Sequence, residues 1–238
     1  EAYYRSIPLL VLTADRPAAW INHGDGQTIV QRDVYKNHIL GSLEMDEDLF
    51  EQKSIEQHQT ELASLLSVTT STWKGPIHLN VGLNEPLYQT VEKTVDYGKR
   101  LPEEQAVKRI DSKQMDVIVK EINQSKVLIL CGQMEQNLKV QQELIKLASF
   151  PNIVVLVENT SNIQHERFIH CIDRTLNGFD QNNEAYKPEI LITIGGAVVS
   201  KRIKAYLRNA GVQKHYKIGA EFPEMDTYRS VPGAEVMG

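Results

Sequence analysis

Four short apolar runs, separated by stretches of helical period, constrain the fold of this chain more than any other feature. They are Lys126 to Cys131, Asn152 to Val157, Glu189 to Ile194 and His215 to Ile218, the last expected to be the final strand. Continuous apolar runs of this length read as strands covered on both faces, as in a parallel sheet. Between them lie amphipathic segments. Asp111 stands as the cap of a helix with Met115, Ile118, Val119 and Ile122 on one face. Residues 137 to 149 carry Val140, Leu144, Ile145 and Leu147 or Ala148, and Ser200 to Asn209 is closed by Gly211. The order αβαβ predicts a doubly wound, Rossmann-like α/β domain. Residues 160 to 188 lack a clear period and are expected to hold short helices around Cys171 and Ile172.

The first third shows a second, smaller pattern. Residues 1 to 17 read as a helix tail, a connection and a strand at 8 to 13, which ends abruptly in Thr13-Ala14-Asp15-Arg16-Pro17. The apolar run predicts a strand buried on both faces, and Pro17 prevents the ladder from continuing. Residues 18 to 53 read as loop-rich, with an acidic run from Glu44 to Glu51. Ser54 and Gln57 form a capping-box pattern that opens a helix reaching about Trp73. Gly75-Pro76 stops it, and Ile77 to Val81 is a second buried strand, so the helix acts as a crossover between parallel strands. Residues 84 to 109 turn polar and read as a linker. The organisation expected is therefore a partial parallel α/β domain at 1–88, a linker at 89–110, a central Rossmann-like domain at 111–225 and the start of a further connection at 226–238.

Composition narrows the partners. The 238 residues are 41% hydrophobic and 24% charged, with a net charge of −5. Such a chain lacks the clustered basic surface that nucleic acids require. No apolar stretch is long enough to span a bilayer. Cys131 and Cys171 stand 40 residues apart without further soft ligands, which argues against zinc. Cys131 ends an apolar run and is expected to be a buried thiol. The lack of a disulfide framework suits a reducing cytoplasm.

Few side chains remain for chemistry. Arg16 follows a strand end, where ligands of open α/β sheets sit, and its planar donor fork suits a carboxylate or phosphate. A strand-end arginine paired with a neighbour such as Asp15 is the alternative. Lys201 and Arg202 occupy the start of a helix opened by Ser200. Two cations there oppose the helix dipole by up to about 1 kcal/mol, which invites a functional reading beside that of a solvated face continued by Lys204 and Arg208. Gly195-Gly196 lacks the third glycine of a nucleotide fingerprint and is expected to let strand and helix approach closely. His78 reads as a satisfied core histidine, His165 and His170 lack further ligands, and Glu121 reads as a surface charge.

Three motifs in order carry a family resemblance. The first is Thr13-Ala14-Asp15-Arg16-Pro17 with Gln27 eleven residues after Arg16. The second is Gly75-Pro76-Ile77-His78-Leu79-Asn80-Val81 with Glu85-Pro86-Leu87, and the third is Ile194-Gly195-Gly196 with Ser200-Lys201-Arg202. Together they resemble the 2-succinyl-5-enolpyruvyl-6-hydroxy-3-cyclohexene-1-carboxylate synthase family of menaquinone biosynthesis. The resemblance implies the end of a pyrimidine-binding domain followed by a central domain, in a cytoplasmic homo-oligomer. It implies a transferase that decarboxylates 2-oxoglutarate and adds the product to isochorismate, using thiamine diphosphate with Mg2+ or Mn2+. Arg16, Gln27, Lys201 and Arg202 are the substrate-binding residues it implies. Gly26 stands where relatives can carry a larger side chain. The cofactor-activating Glu is expected upstream and the metal motif downstream, so no catalytic or metal residue is assigned within the chain, and no bound cofactor is expected. Gly24-Asp25-Gly26 looks like the metal motif of thiamine enzymes, but the stretch that should supply Asn holds Leu49, Phe50, Glu51, Gln52 and Lys53; a flexible turn is expected instead. Two alternatives stay open: another thiamine-dependent 2-oxoacid decarboxylase or acetolactate-synthase-like enzyme, and a non-catalytic anion-binding module.

Overall fold

Among the described strands, the one that precedes Arg16 lies at the end of its sheet. A computed structural model describes residues 1–24, 26–45, 55–70, 74–84, 110–219, 226–229 and 235–237, and the chain divides into two units, Glu1–Ala106 and Val107–Gly238. In the first unit, strands β1 (Leu10–Asp15), β2 (Gly41–Met45) and β3 (Ile77–Gly82) form a parallel sheet of order β1-β3-β2. Burial alternates along β1, and Leu10 and Leu12, on the same face as Ile77 and Leu79, are exposed. The expectation of a strand covered on both faces holds for β3, where Ile77 to Asn80 are buried, and fails for β1. The expected helix tail at the start is a series of turns.

Helix α1 (Ile55–Thr70) connects β2 to β3, and its Leu62, Leu65 and Val68 pack on Leu43, Met45, Ile77, Leu79 and Val81. One face of the sheet is thereby apolar. The capping box at Ser54, most of the acidic run and the linker at 89–110, apart from Ile110, lie outside the described residues.

The second unit is built as the alternation predicts: α2 (Ser112–Gln124), β4 (Val127–Cys131), α3 (Leu138–Leu147), β5 (Ile153–Val157), α4 (Ile172–Asn177), β6 (Ile190–Ile194), α5 (Lys201–Asn209), β7 (Lys214–Ile218) and β8 (Glu235–Met237). All five strands run parallel in the order β5-β4-β6-β7-β8. Apolar clusters lie on both faces, which explains the uninterrupted apolar runs. Short helices at 159–161, 172–177 and 184–186 fill the aperiodic stretch. Strand β8 follows the expected last strand; its three residues are too few to give a periodic signal.

Three local details correct the sequence reading. Asp111 holds the cap position of α2, but its side chain makes no capping bond. On that helix Ile118 is buried and Ile122 packs on the core, whereas Met115 and Val119 are exposed. Glu121 is no plain surface charge: it pairs with Lys214 and accepts from Tyr216 Oη at 2.6 Å, tying α2 to β7. These bonds hold its carboxyl below the ordinary carboxylate range.

His215 on β7 is buried and bonded through Nε2 to Thr193 Oγ1 at 3.0 Å. Burial pushes its pKa down to about 4; Lys217 adds to that shift and Asp226 opposes it. The unfolded chain binds the proton near pH 6.5, so protons are taken up on unfolding between about pH 6.5 and 4. This contribution to stability is complete above that window and falls by about 3 kcal/mol as the pH drops through it. Urea unfolding at a series of pH values should show that slope, and His215→Gln should flatten it.

Candidate functional site

At the carboxyl ends of its three strands the first unit opens into a cleft of about 290 Å3. Ligands of open parallel sheets sit beyond such ends. Asp15, Arg16, Gln31, Arg32, Glu44 and Asn80 are among its lining residues. Arg16 is the first residue after β1, and its backbone N–H donates to Asp15 Oδ1 at 2.9 Å. The next residue, Pro17, starts a 3-10 turn and ends the strand. The cleft thus presents two guanidinium groups beside two carboxylates, a surface suited to an anion that also carries hydrogen-bond donors.

Gln27, unlike Arg16, does not line the cleft. It is exposed and adopts a left-handed φ of +64°. Gln31, four residues on, does line the cleft and donates from Nε2 to Ala14 O at 2.8 Å. The motif spacing singles out Gln27, and no local signal in the sequence points to Gln31.

A polar row crosses the sheet at this cleft. Thr13, Asn80 and Glu44 occupy one register row of β1, β3 and β2. Thr13 Oγ1 donates to Asn80 Oδ1 at 2.7 Å, while Asn80 Nδ2 donates to Asp15 Oδ2 at 3.0 Å and to Glu44 Oε2 at 2.8 Å. His78, fully buried, contacts Thr13 Oγ1 through Nε2 at 2.7 Å and meets Tyr35 edge-on. Its Nδ1 has no partner among the described residues, so this histidine is satisfied at one nitrogen only.

In the second unit, the neighbours of β4 diverge: the chain moves to β5 on one side and β6 on the other, which marks the switch point of the sheet. Backbone fills that crevice. Gly132 N donates to Ile194 O at 2.9 Å, Gln133 N to Ala197 O at 3.0 Å, and Gly196 N to Gln133 O at 2.7 Å. Gly195 takes φ +78°, and a Cβ on Gly132 would lie 2.2 Å from Gly196 O. The glycine pair therefore joins two loops, after β4 and β6, rather than bringing a strand against its own helix.

Helix α5 starts as expected, with Ser200 Oγ accepting from Ile203 N at 3.1 Å. Lys201 and Arg202 are both exposed. Arg202 Nη1 donates to Oδ1 of Asn177, the last residue of α4, so this cation also clasps two helices. Cys131 is buried, which pushes its thiol up to about 12, whereas Cys171 is exposed. His170 Nε2 contacts His165 O at 3.1 Å. Among the described residues, no three His, Cys, Asp or Glu side chains gather as a metal site, and Asp25 lies outside them.

Residues 85–232, more than half of the chain, match the family model described as "Middle domain of thiamine pyrophosphate". The chain belongs to that family. This middle domain takes in the whole basic turn from Gly195 to Arg202. Curated relatives named 2-succinyl-5-enolpyruvyl-6-hydroxy-3-cyclohexene-1-carboxylate synthase extend the likeness to the first unit. The protein from Flavobacterium psychrophilum is 40% identical over 97% of this chain and 41% of its own length. That from Flavobacterium johnsoniae is 38% identical over 92% and 39%, and that from Porphyromonas gingivalis 30% identical over 96% and 40%. The chain thus spans about two fifths of the length of these relatives. Among solved structures, a Mycobacterium smegmatis protein described as a putative thiamin diphosphate-dependent enzyme matches with TM-score 0.55 and 12% identity, over 91% of this chain and 41% of its own; it supports the α/β fold alone. Among the described residues, no helix is long and apolar enough to cross a membrane.

Proposed function

We propose that this chain serves a thiamine-diphosphate-dependent transferase that joins 2-oxoglutarate to isochorismate with loss of carbon dioxide, a reading supported by the names of its relatives. The observation that carries it is Arg16 at the mouth of the strand-end cleft. Both substrates are dicarboxylates. A guanidinium fixed beside the strand end binds a carboxylate through two parallel bonds and orients the molecule, which lowers the entropic part of the barrier. Lys201 and Arg202 add exposed positive charge at a helix start, where unpaired backbone N–H groups favour anions. Gln27 is the neutral donor of the proposed set. Its exposed position makes it a group that meets ligand from a loop, unlike Arg16.

The described residues do not fit the cofactor's metal. They hold no acidic or histidine cluster for Mg2+ or Mn2+, and nothing lies within 4 Å of a Cβ placed on Gly24 or Gly26. In this proposal the metal, the diphosphate and the activating Glu are held outside the described residues, as the family resemblance implies. A cytoplasmic homo-oligomer completes the proposal.

Turnover of the full-length enzyme tests it. Carbon dioxide release from 2-oxoglutarate should require isochorismate. Equal release without isochorismate would assign the protein to the simple 2-oxoacid decarboxylases instead.

A further inference from the structure

A strand buried on both faces in a parallel sheet is ordinarily apolar throughout, because each buried polar group costs about 1–3 kcal/mol unless bonded. Strand β3 breaks that rule on one face. Ile77, Leu79 and Val81 turn to the apolar cluster, while His78 and Asn80, exposed to 0% and 4%, alternate with them. Donor counting fixes the pattern of the bonds they make. Two carboxylates face one end of the Asn80 amide, and ionised carboxylates only accept, so that end is Nδ2 and the other is Oδ1. Thr13 has one hydroxyl hydrogen, which goes to Asn80 Oδ1. Its contact with His78 is then an accepted bond, and the His78 hydrogen sits on Nε2.

The bonds form a continuous path. His78 donates to Thr13, Thr13 to Asn80, Asn80 to Asp15, and Asp15 accepts the backbone N–H of Arg16. Asn80 is its branch point, since its second amide hydrogen reaches Glu44 on β2. It also sits between β1 and β2 in the register, so this one amide links all three strand ends around the cleft. Opposite Asp15 stands Gly82, which has no side chain to crowd that carboxylate.

We propose that Asn80 is the positioning residue of the cleft: by holding Asp15, it sets the backbone from which Arg16 reaches substrate. The inference rests on the reading of Arg16 as a carboxylate ligand. A residue acting only through Arg16 loses its effect once Arg16 is gone.

The test is the KM for isochorismate in the full-length enzyme carrying Asn80→Ala, Arg16→Ala or both. Asn80→Ala should raise KM about tenfold with kcat within about twofold, and the double variant should match Arg16→Ala alone. A merely structural role would lower the thermal midpoint and the active fraction while leaving KM in place. Additive effects in the double variant, or an unchanged KM in Asn80→Ala beside a raised one in Arg16→Ala, would overturn this inference alone. An unchanged KM in Arg16→Ala would remove the reading of Arg16 and this inference with it. Should Asn80→Ala fail to fold, Thr13→Val keeps the shape of Thr13 but frees the Asn80 amide oxygen. Its expected rise in KM is about threefold, absent when Arg16 is already alanine.

Discussion

Arg16→Ala should raise the KM for isochorismate about a hundredfold in the full-length enzyme. A paired guanidinium and carboxylate make two charge-assisted bonds, and deleting Arg16 leaves a substrate carboxylate in a cleft lined by Asp15 and Glu44, with Arg32 its one remaining lining arginine among the described residues. Each tenfold loss corresponds to about 1.4 kcal/mol, so two such bonds suffice for the expected change. Arg16→Lys keeps the charge and loses the planar fork, so its KM should stay about tenfold above that of the parent protein. Steady-state kinetics with isochorismate varied at saturating 2-oxoglutarate measures both. A KM within about twofold of the parent protein in Arg16→Ala would reject the proposed contact.

Gly132→Ala should be among the most damaging single substitutions in the second unit. The added Cβ would meet Gly196 O at 2.2 Å, with Ala197 O and Gly196 C both at 3.1 Å. These are backbone atoms and cannot swing aside as a side-chain tip can. Relief requires the two loops to part, which breaks the bonds from Gly132 N, Gln133 N and Gly196 N. Each such bond contributes about 1 kcal/mol, and strain adds to their loss. The expected destabilisation is therefore about 4 kcal/mol, at the upper end of what one substitution causes. Gly26→Ala is the natural control. Nothing lies within 4 Å of its Cβ, and its stability should change by less than about 0.5 kcal/mol. Urea unfolding followed by circular dichroism compares the two.

The second unit is legible in the sequence because its central strands are covered on both faces, which writes the fold directly into uninterrupted apolar runs. Strand β2 is not. Gly41-Ser42-Leu43-Glu44-Met45 has large apolar side chains at two positions, and it is a strand because β3 pairs with it. The error on β1 has the reverse cause: an apolar run looks the same whether one face of the strand is covered or both.

The site divides in the same way. The place of Arg16 follows from a strand end and a proline, which are local signals. The row of Thr13, Asn80 and Glu44 depends on register between residues 36 and 67 positions apart, and no local signal records it. Arg202 shows a third case. Its charge and helix position are readable, but its partner Asn177 lies in the aperiodic stretch, where the sequence carries no period to place it.

The backbone seam between Gly132 and Gly196 has a consequence for how the second unit can evolve. Sheets with a switch point of this kind commonly lodge a cofactor where the strand order reverses, and here that berth is occupied by the polypeptide itself. Reopening that centre would sacrifice the bonds that hold β4 and β6 in step, whereas the exposed start of α5 can change without breaking them.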